Sequence, residues 1–305
     1  MRPDDDRIGA LQDDMRAVLE LPGLRVEAWR SGVDFFADLA LDGGRTLGVV
    51  RSPRVEHLPT SYEGVVDFGE VLVKETVAAE LLAAAGVPVP GVLRLRRASS
   101  AGQVSWCLAQ LVESEEDFPV APVLAELGSL TRAIHDIQPD TEGLRRQRSW
   151  PAFFSARLRQ RLAAAARYTD LPIGADFLDR VDVLLGKRDH AADRLLHMDL
   201  RPPNLCVRAG RVVGVLDLAN CLVGDPLLEL ARIRSYGLLD DSFLDGYGVP
   251  CPADDLETIL MDVYQLDTEA LLVSVAVEEI GDQDLHQGKV RATQQLCARI
   301  DRMTR

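Results

Sequence analysis

Residues 195–205 read LLHMDLRPPNL, and this stretch decides the fold. An apolar pair is followed by His197, Asp199 and Asn204, with two prolines between the aspartate and the asparagine. Proline and asparagine favour turns, so we expect a loop that leaves a buried strand. Each polar residue alone has an ordinary structural explanation, such as a hydrogen bond within the loop or a turn. The flanking sequence therefore has to decide between a structural loop and a catalytic one.

A hairpin is predicted directly after this loop. The stretches LCVRAG (205–210) and VVGVLDL (212–218) are two short strands joined by a glycine turn. Asp199 and Asn204 precede the first strand and Asp217 ends the second, so the three side chains can converge. Oxygen ligands of this kind suit Mg²⁺ held to a polyphosphate, with the asparagine and one aspartate as ligands and the other aspartate orienting an acceptor hydroxyl. The pattern predicts phosphoryl transfer.

The rest of the chain separates into a strand-rich part and a helical part. The predicted elements before the hairpin are a helix (5–23), antiparallel strands broken at a DGG turn (24–54), a loop (55–69), a helix (70–86), two strands (91–112) and mainly helices from residue 122. This order predicts an α+β fold with two lobes. We place the boundary between residues 1–110 and residues 111–305.

Composition restricts the class of protein. The 305 residues are 47% hydrophobic and 27% charged, which is typical of a globular protein. The formal net charge of −14 argues against nucleic acid and anionic membranes as partners. The chain has no apolar run of about eighteen residues and begins with an acidic stretch, so we predict a cytoplasmic protein. Five scattered cysteines without CxxC spacing indicate neither a zinc site nor a disulfide framework.

Two separated motifs carry a family resemblance. HMDLRPPNL (197–205) followed by VVGVLDLANCLVGDPLLELA (212–231) resembles the catalytic and metal-binding motifs of the aminoglycoside phosphotransferase and choline kinase-like superfamily. Two motifs in the family's order and spacing are more specific than a lone HxD pattern. The resemblance implies the fold of the protein kinases, with a small antiparallel-sheet N-lobe and a larger, mainly helical C-lobe. It also implies ATP or GTP as phosphoryl donor, with Mg²⁺.

The resemblance assigns roles to the residues of the hairpin. Asp199 takes the position of the catalytic aspartate, and Asn204 and Asp217 take those of the magnesium ligands. His197 braces the loop, which is also the role we favour for it as a purely structural histidine. The trailing GDPLLELA begins a helix of the C-lobe, with Asp225 and Glu229 shaping the loop and the floor of the pocket.

The same resemblance assigns phosphate binding to the N-lobe. Arg51, in the strand TLGVVRSPR, stands where the family has a basic residue for the phosphates, and Glu75 stands where a helix supplies the glutamate that pairs with it. Lys74 is the alternative, since VLVK also reads as the end of a strand. The structural explanation for Arg51 is a solvated charge at the end of a strand, and for Glu75 it is an ordinary acid at a helix amino terminus, which the helix dipole favours.

Two further stretches are expected to contact the nucleotide. RSGVDFFADLALDGG stands where a loop covers the phosphates, and ahead of its turn it has one glycine, Gly32. This stretch looks most like the macrolide phosphotransferases. SWCLAQLV is similar to the segment that links the lobes, where backbone groups from Cys107 to Gln110 would meet the base.

The acceptor is the least defined part of the prediction. We favour an antibiotic-type hydroxyl acceptor (an aminoglycoside, macrolide or nucleoside antibiotic); the alternatives are a primary metabolite of amino alcohol, sugar or homoserine type, and a catalytically silent kinase-like binding protein. Acids near the carboxyl end would line a pocket for cationic acceptors or form a solvated face. They are Asp254, Asp255, Glu257, Asp262, Asp267, Glu269, Glu278, Glu279, Asp282 and Asp284.

Overall fold

The computed structural model describes residues 3–99, 103–140, 144, 148–188 and 192–305. The helices are α1 (Pro3–Leu19), α2 (Phe68–Ala84), α3 (Leu124–His135), α4 (Trp150–Ala165), α5 (Phe177–Gly186), α6 (Pro226–Ser235), α7 (Asp241–Tyr247), α8 (Asp255–Val275) and α9 (Gln283–Thr304). The strands are β1 (Arg25–Ser31), β2 (Phe35–Asp42), β3 (Arg45–Pro53), β4 (His57–Thr60), β5 (Gly64–Asp67), β6 (Val92–Arg96), β7 (Trp106–Ala109), β8 (Arg194–Leu196), β9 (Leu205–Arg208), β10 (Arg211–Val215) and β11 (Leu222–Gly224). No helix within these ranges is long and apolar enough to span a membrane.

The N-terminal part is an antiparallel sheet in the order β1-β2-β3-β7-β6. Successive side chains of a strand point to opposite faces, and β7 shows the consequence. Trp106 and Leu108 pack with Met15 of α1 on one face, whereas Cys107 packs with Leu72 of α2 on the other. The sheet therefore lies between α1 and α2, and α2 is the helix that contains Glu75.

The C-terminal part is helical, with two short strand pairs that hold the catalytic loop. One large core cluster joins α3, α4, α6 and α8, and the rings of Trp150, Phe154 and Tyr264 pack together within it. The pair β8–β11 leads into the loop, and the pair β9–β10 leaves it. The observed order of elements confirms an α+β fold with an antiparallel N-terminal sheet and a helical C-terminal part.

The prediction of a loop over residues 55–69 is wrong. Strands β4 and β5 pair from His57 opposite Asp67 to Thr60 opposite Gly64. The tip of this β4–β5 hairpin docks on the helices, where Tyr62 is buried against Ala164 and Leu271. Packing against distant helices stabilises this hairpin. Its own sequence has little apolar alternation and therefore does not predict strands.

Candidate active site

The hairpin β9–β10 places Asn204 and Asp217 side by side. Leu205 pairs with Val215, and the backbone N–H of Leu216 donates to the carbonyl oxygen of Asn204 at 2.8 Å. Asp217 follows with φ 62° and ψ 70°, a left-handed conformation that aspartate tolerates better than most residues. The predicted convergence at the open end of the hairpin is therefore present in the structure.

His197 connects the two halves of this loop. The ring is fully buried; its Nε2 lies 3.0 Å from the carbonyl oxygen of Leu216, and its Nδ1 accepts the backbone N–H of Asp199 at 3.1 Å. Since Nδ1 is an acceptor, the proton resides on Nε2 and is donated to Leu216. The structure thus gives His197 the bracing position that was expected, with neither ring nitrogen free for proton transfer.

Glu229 supports the loop from beneath. Its carboxylate accepts the backbone N–H groups of His197 at 2.9 Å and Met198 at 2.6 Å, and its Oε2 lies 3.0 Å from His135 Nε2. Burial raises the pKa of Glu229, but the hydrogen bond with His135 and the backbone donors outweigh burial and lower it. His135 thereby helps keep ionised the carboxylate that shapes the loop.

Asp199 is held by donors on both carboxylate oxygens. Oδ2 accepts from Asn204 Nδ2 at 2.6 Å and from Arg201 Nε at 3.0 Å, while Oδ1 accepts from the hydroxyl of Tyr236 at 2.6 Å. Burial raises the pKa of Asp199, but the charge of Arg232 and these donors outweigh burial and lower it. Asp199 is therefore a buried, oriented carboxylate.

Sequence reasoning missed Tyr236 and Arg232. Both lie on α6 or at its end, four residues apart, and Arg232 Nε donates to the Tyr236 hydroxyl at 2.7 Å. Arg232 also approaches Asp199 directly, at 3.5 Å. The i,i+4 spacing after GDP was visible in the sequence and puts the two side chains on one helix face. Nothing in the sequence showed that this face meets Asp199.

Arg51 joins the two lobes at the phosphate side of the cleft. Its Nη1 donates to Glu75 Oε1 at 2.6 Å, and its Nη2 donates to Asp217 Oδ1 at 3.2 Å. Burial lowers the pKa of Arg51, but Glu75 and Asp217 outweigh burial and raise it. The structure brings together the three residues that the sequence assigned to phosphate and magnesium binding.

Lys74 does not lie at the end of a strand, contrary to the alternative considered for it. It is in the second turn of α2, half-buried, next to Glu75 in sequence. It forms no ion pair within 4 Å in the part of the chain that the structure describes. Burial lowers the pKa of its ammonium. Arg51, rather than Lys74, is the partner of Glu75.

Gly32 and Gln110 lie near the expected places but differ in detail. The N–H of Gly32 donates to Phe35 at 2.8 Å and its carbonyl accepts from Arg54 at 3.0 Å, so both backbone groups are engaged within the loop. Gln110 follows β7, and its N–H donates to the carbonyl of Gly91 at 2.9 Å. Residues 107–109 pair on both sides within the sheet, so the segment that links the lobes begins at Gln110.

Asn204 and Asp217 fit the role of magnesium ligands. Asn204 donates both of its hydrogen bonds through Nδ2, to the backbone and to the side chain of Asp199, so its Oδ1 is left to accept. Asp217 bonds Arg51 through Oδ1 alone. The described ranges contain no cluster of three or more His, Cys, Asp or Glu with metal-site geometry. Mg²⁺ commonly takes one or two protein oxygens and completes its shell with phosphate and water.

Most of the acids near the carboxyl end are engaged in the protein's own structure. Asp262 pairs with Arg234, Glu269 with Lys289 and Glu257 with Arg188, and Asp254 and Asp282 cap the helices α8 and α9. Asp267 pairs with two arginines of α4. These carboxylates are therefore not available as an open acidic lining for a cationic acceptor.

Comparisons with known proteins agree with this geometry. The chain resembles a ternary complex of aminoglycoside phosphotransferase APH(4)-Ia with ADP and hygromycin B (17% identity, TM-score 0.65, covering 96% of this chain and 98% of that one). It also resembles the macrolide 2'-phosphotransferase MphH from Brachybacterium faecium (22% identity, TM-score 0.51, 94% and 98% covered) and a candidate fructosamine-3-kinase from Haemophilus somnus 129PT (18% identity, TM-score 0.63, 90% and 90% covered). No curated protein matches.

These structural likenesses show the fold, which is the predicted two-lobed kinase-like one. The decisive comparison is with families, because the model described as the phosphotransferase enzyme family matches residues 49–253. That range contains β3 with Arg51, the helix α2 and the whole catalytic hairpin. The chain belongs to the phosphotransferase enzyme family, and the predicted enzyme class is confirmed.

Proposed function

We propose that the protein transfers the γ-phosphate of ATP or GTP to a hydroxyl group of a small molecule. The observation that carries this proposal is the junction at Asp217, which lies beside Asn204 on the catalytic hairpin and is bound by Arg51 from the facing lobe. Phosphoryl transfer depends mainly on positioning and on charge stabilisation, and this junction supplies both.

Each residue of the junction has a separate task. Asp199 orients the acceptor hydroxyl and takes its proton, since its lowered pKa keeps the carboxylate ionised and its hydrogen bonds fix its position. Arg51, aligned by Glu75, binds the phosphates of the donor. Asn204 and Asp217 hold Mg²⁺, which when bound neutralises the charge of the leaving diphosphate. His197 keeps the loop in register.

The two lobes divide these tasks. We assign nucleotide binding to residues 1–110, with the Gly32 loop above the phosphates and Gln110 at the base, and catalysis and acceptor binding to residues 111–305. The boundary falls one residue after the end of β7 at Ala109. Since ATP and GTP are used inside the cell, we propose the cytoplasm as the place of reaction.

For the acceptor we propose an antibiotic-type molecule, in a role of resistance or self-protection. The support is that similar folds include a complex with hygromycin B and a macrolide 2'-phosphotransferase. The competing candidate is a kinase of a primary metabolite, which the engagement of the carboxyl-terminal acids favours over a polycationic acceptor. A catalytically silent role is disfavoured because Asp199, Asn204 and Asp217 are all present and assembled.

The test is release of nucleoside diphosphate from ATP and from GTP across aminoglycosides, macrolides, nucleoside antibiotics and small amino alcohols. We expect acceptor-dependent release with at least one class, and its loss in Asp199→Ala. Binding of neither nucleotide in the presence of Mg²⁺ would contradict the proposal and favour a silent protein.

A further inference from the structure

A cluster of basic side chains lies on the C-lobe, outside the residues used above. Arg157 and Arg161 of α4 both bind Asp267 of α8: Arg157 Nε lies 3.2 Å from each carboxylate oxygen, and Arg161 Nη1 lies 2.6 Å from Oδ2. Asp267 is fully buried and Arg161 is 1% exposed. Two guanidinium groups thus share one carboxylate in the interior.

Arg157 is held in one orientation, but not all of its hydrogen-bond donors are used. Its Nε is used by Asp267, whereas its two terminal amino groups form no hydrogen bond among the described residues, and its side chain is 18% exposed. A guanidinium that is anchored at one edge and open at the other presents a planar pair of donors, the geometry that binds carboxylate and phosphate in a bidentate manner.

Arg157 and Arg232 act on Arg161 as neighbouring positive charges, although the whole chain carries −14. Burial and the charge of Arg157 lower the pKa of Arg161 to about 10. Burial lowers the pKa of Lys74, and Arg157 lowers it further. Burial raises the pKa of Glu63, but Arg161 and Arg157 outweigh burial and lower it. The two arginines therefore favour the ionised carboxylate of Glu63, as expected beside positive charge, whereas burial is the main cause of the lowered pKa values of Arg161 and Lys74.

This cluster is next to the catalytic aspartate. Arg232, which lies 3.5 Å from Asp199, is close enough to Arg161 for its charge to contribute to the lowered pKa. Lys74 comes from α2 of the facing lobe, one residue before Glu75. The basic cluster is therefore on the side of the cleft where an acceptor would present its hydroxyl to Asp199.

Within the protein, Arg161 of this cluster already binds a carboxylate from the facing lobe. Glu63, at the tip of the β4–β5 hairpin, forms an ion pair with Arg161 across the lobes. The side chain of Glu63 is 37% exposed, while that of Arg161 is buried. Removing this carboxylate without replacement would leave a buried charge short of a partner, which is costly. A carboxylate or a similar oxyanion is the group that can take its place.

We propose that Arg157 and Arg161 bind an oxyanion of the acceptor, either a carboxylate or a phosphate group. The inference rests on the proposed function, since it names a second group on the molecule whose hydroxyl meets Asp199. Among the acceptors proposed above, it favours an anionic or zwitterionic one, such as a metabolite of homoserine type, over cationic aminoglycosides and macrolides. It also assigns a role to the two terminal amino groups of Arg157, which a purely structural ion-pair network would not need.

The experiment is calorimetric titration of the full chain with malonate and, separately, with inorganic phosphate. Each titration is done with saturating Mg²⁺ and AMP-PNP, which occupies the nucleotide site, and again without nucleotide. Arg157→Gln is compared with Arg159→Gln, because Arg159 is on the same helix but is 43% exposed and pairs with Asp182. Glu63→Gln is included because it removes the carboxylate that occupies Arg161.

We expect binding of at least one anion that is weakened about tenfold in Arg157→Gln and unchanged in Arg159→Gln. Glu63→Gln should tighten it. Binding of malonate alone identifies a carboxylate acceptor, and binding of phosphate alone a phosphorylated one. Equal binding by the two arginine variants, or no binding by either wild type or Glu63→Gln, overturns the inference. Binding of AMP-PNP in the same samples reports separately on the proposed function.

Discussion

The two sides of the cleft have opposite electrostatic character. On the nucleotide side, burial and the charge of Asp217 raise the pKa of Asp34, which is in the loop between β1 and β2. Burial there lowers the pKa of Arg51, yet Glu75 and Asp217 raise it overall. Carboxylates are disfavoured and a cation is favoured, so this side has an excess of negative charge that Mg²⁺ would neutralise.

On the proposed acceptor side the pKa of a carboxylate moves the other way, because Arg161 and Arg157 outweigh burial and lower the pKa of Glu63. Burial and Arg157 lower the pKa of Arg161, and burial lowers that of Lys74. The two sides therefore suit ligands of opposite charge. Most variants below change one side, and the other side serves as the reference.

The largest effect is expected at Asp199, where the two sides meet. Asp199→Ala removes the group that orients and deprotonates the acceptor hydroxyl, so kcat should fall by about 10²- to 10⁴-fold. The affinity for Mg²⁺ and AMP-PNP should stay within about threefold of wild type, because Asp199 is not a phosphate ligand in this arrangement. Steady-state kinetics and equilibrium binding measure the two. Undiminished turnover would rule out the mechanism.

The next effect concerns stability on the acceptor side. Asp267→Asn leaves Arg157 and Arg161 without their shared buried carboxylate, and breaking such a pair costs about 3–5 kcal/mol in free energy of unfolding. Asp182→Asn is the control, because Asp182 is 40% exposed in its pair with Arg159, and such exposed pairs contribute about 0–1 kcal/mol. Urea unfolding of both variants gives the difference. Similar losses in the two would show that Asp267 is not the centre of the cluster.

A smaller effect is expected on the nucleotide side. Asp217→Ala removes the proposed magnesium ligand and a partner of Arg51, so binding of AMP-PNP in the presence of Mg²⁺ should weaken about 10- to 100-fold. Without Mg²⁺ the difference from wild type should largely vanish. Titrations with and without the metal test this. If Asp217→Ala bound the magnesium complex as tightly as wild type, Asp217 would not be a ligand.

The smallest effect is expected from Tyr236→Phe. It removes a hydroxyl that donates to Asp199 Oδ1, and the loss of this donor should raise the pKa of Asp199. Because Asp199 must be ionised to take a proton, the acid limb of the pH–activity profile should move to higher pH, with kcat falling about two- to tenfold.

Tyr168→Phe is the control, since the Tyr168 hydroxyl donates to Glu278 at the surface. A profile that moves equally in both variants would mean that Tyr236 does not position the catalytic carboxylate.

The placement of Asp199, Asn204 and Asp217 beside one another could largely be predicted from the sequence, and the cluster around Arg157 could not. Asp199, Asn204 and Asp217 are separated by short segments of one hairpin, so the spacing along the chain fixes their spacing in space. Arg157 and Asp267 belong to different helices far apart in sequence, and only helix packing brings them together. Most of the acids near the carboxyl end form ion pairs with basic side chains or cap helices, and composition alone does not show these contacts.

The errors have similar causes. Lys74 looked like the end of a strand because VLVK is apolar and β-branched, but the turns of α2 continue through it. The β4–β5 hairpin was missed because Tyr62 finds its apolar partners on α4 and α8. In both cases tertiary packing overrides a weak local preference.

The left-handed backbone at Asp217 has a consequence for the evolution of this enzyme. The position requires a residue that tolerates φ 62° and also a carboxylate within reach of Arg51. Asparagine satisfies the backbone but lacks the charge, glycine lacks the side chain, and glutamate keeps the charge at the cost of backbone strain. Every single-nucleotide change of an aspartate codon that alters the residue loses either the backbone tolerance or the carboxylate. We therefore expect no such substitution at position 217 to be neutral.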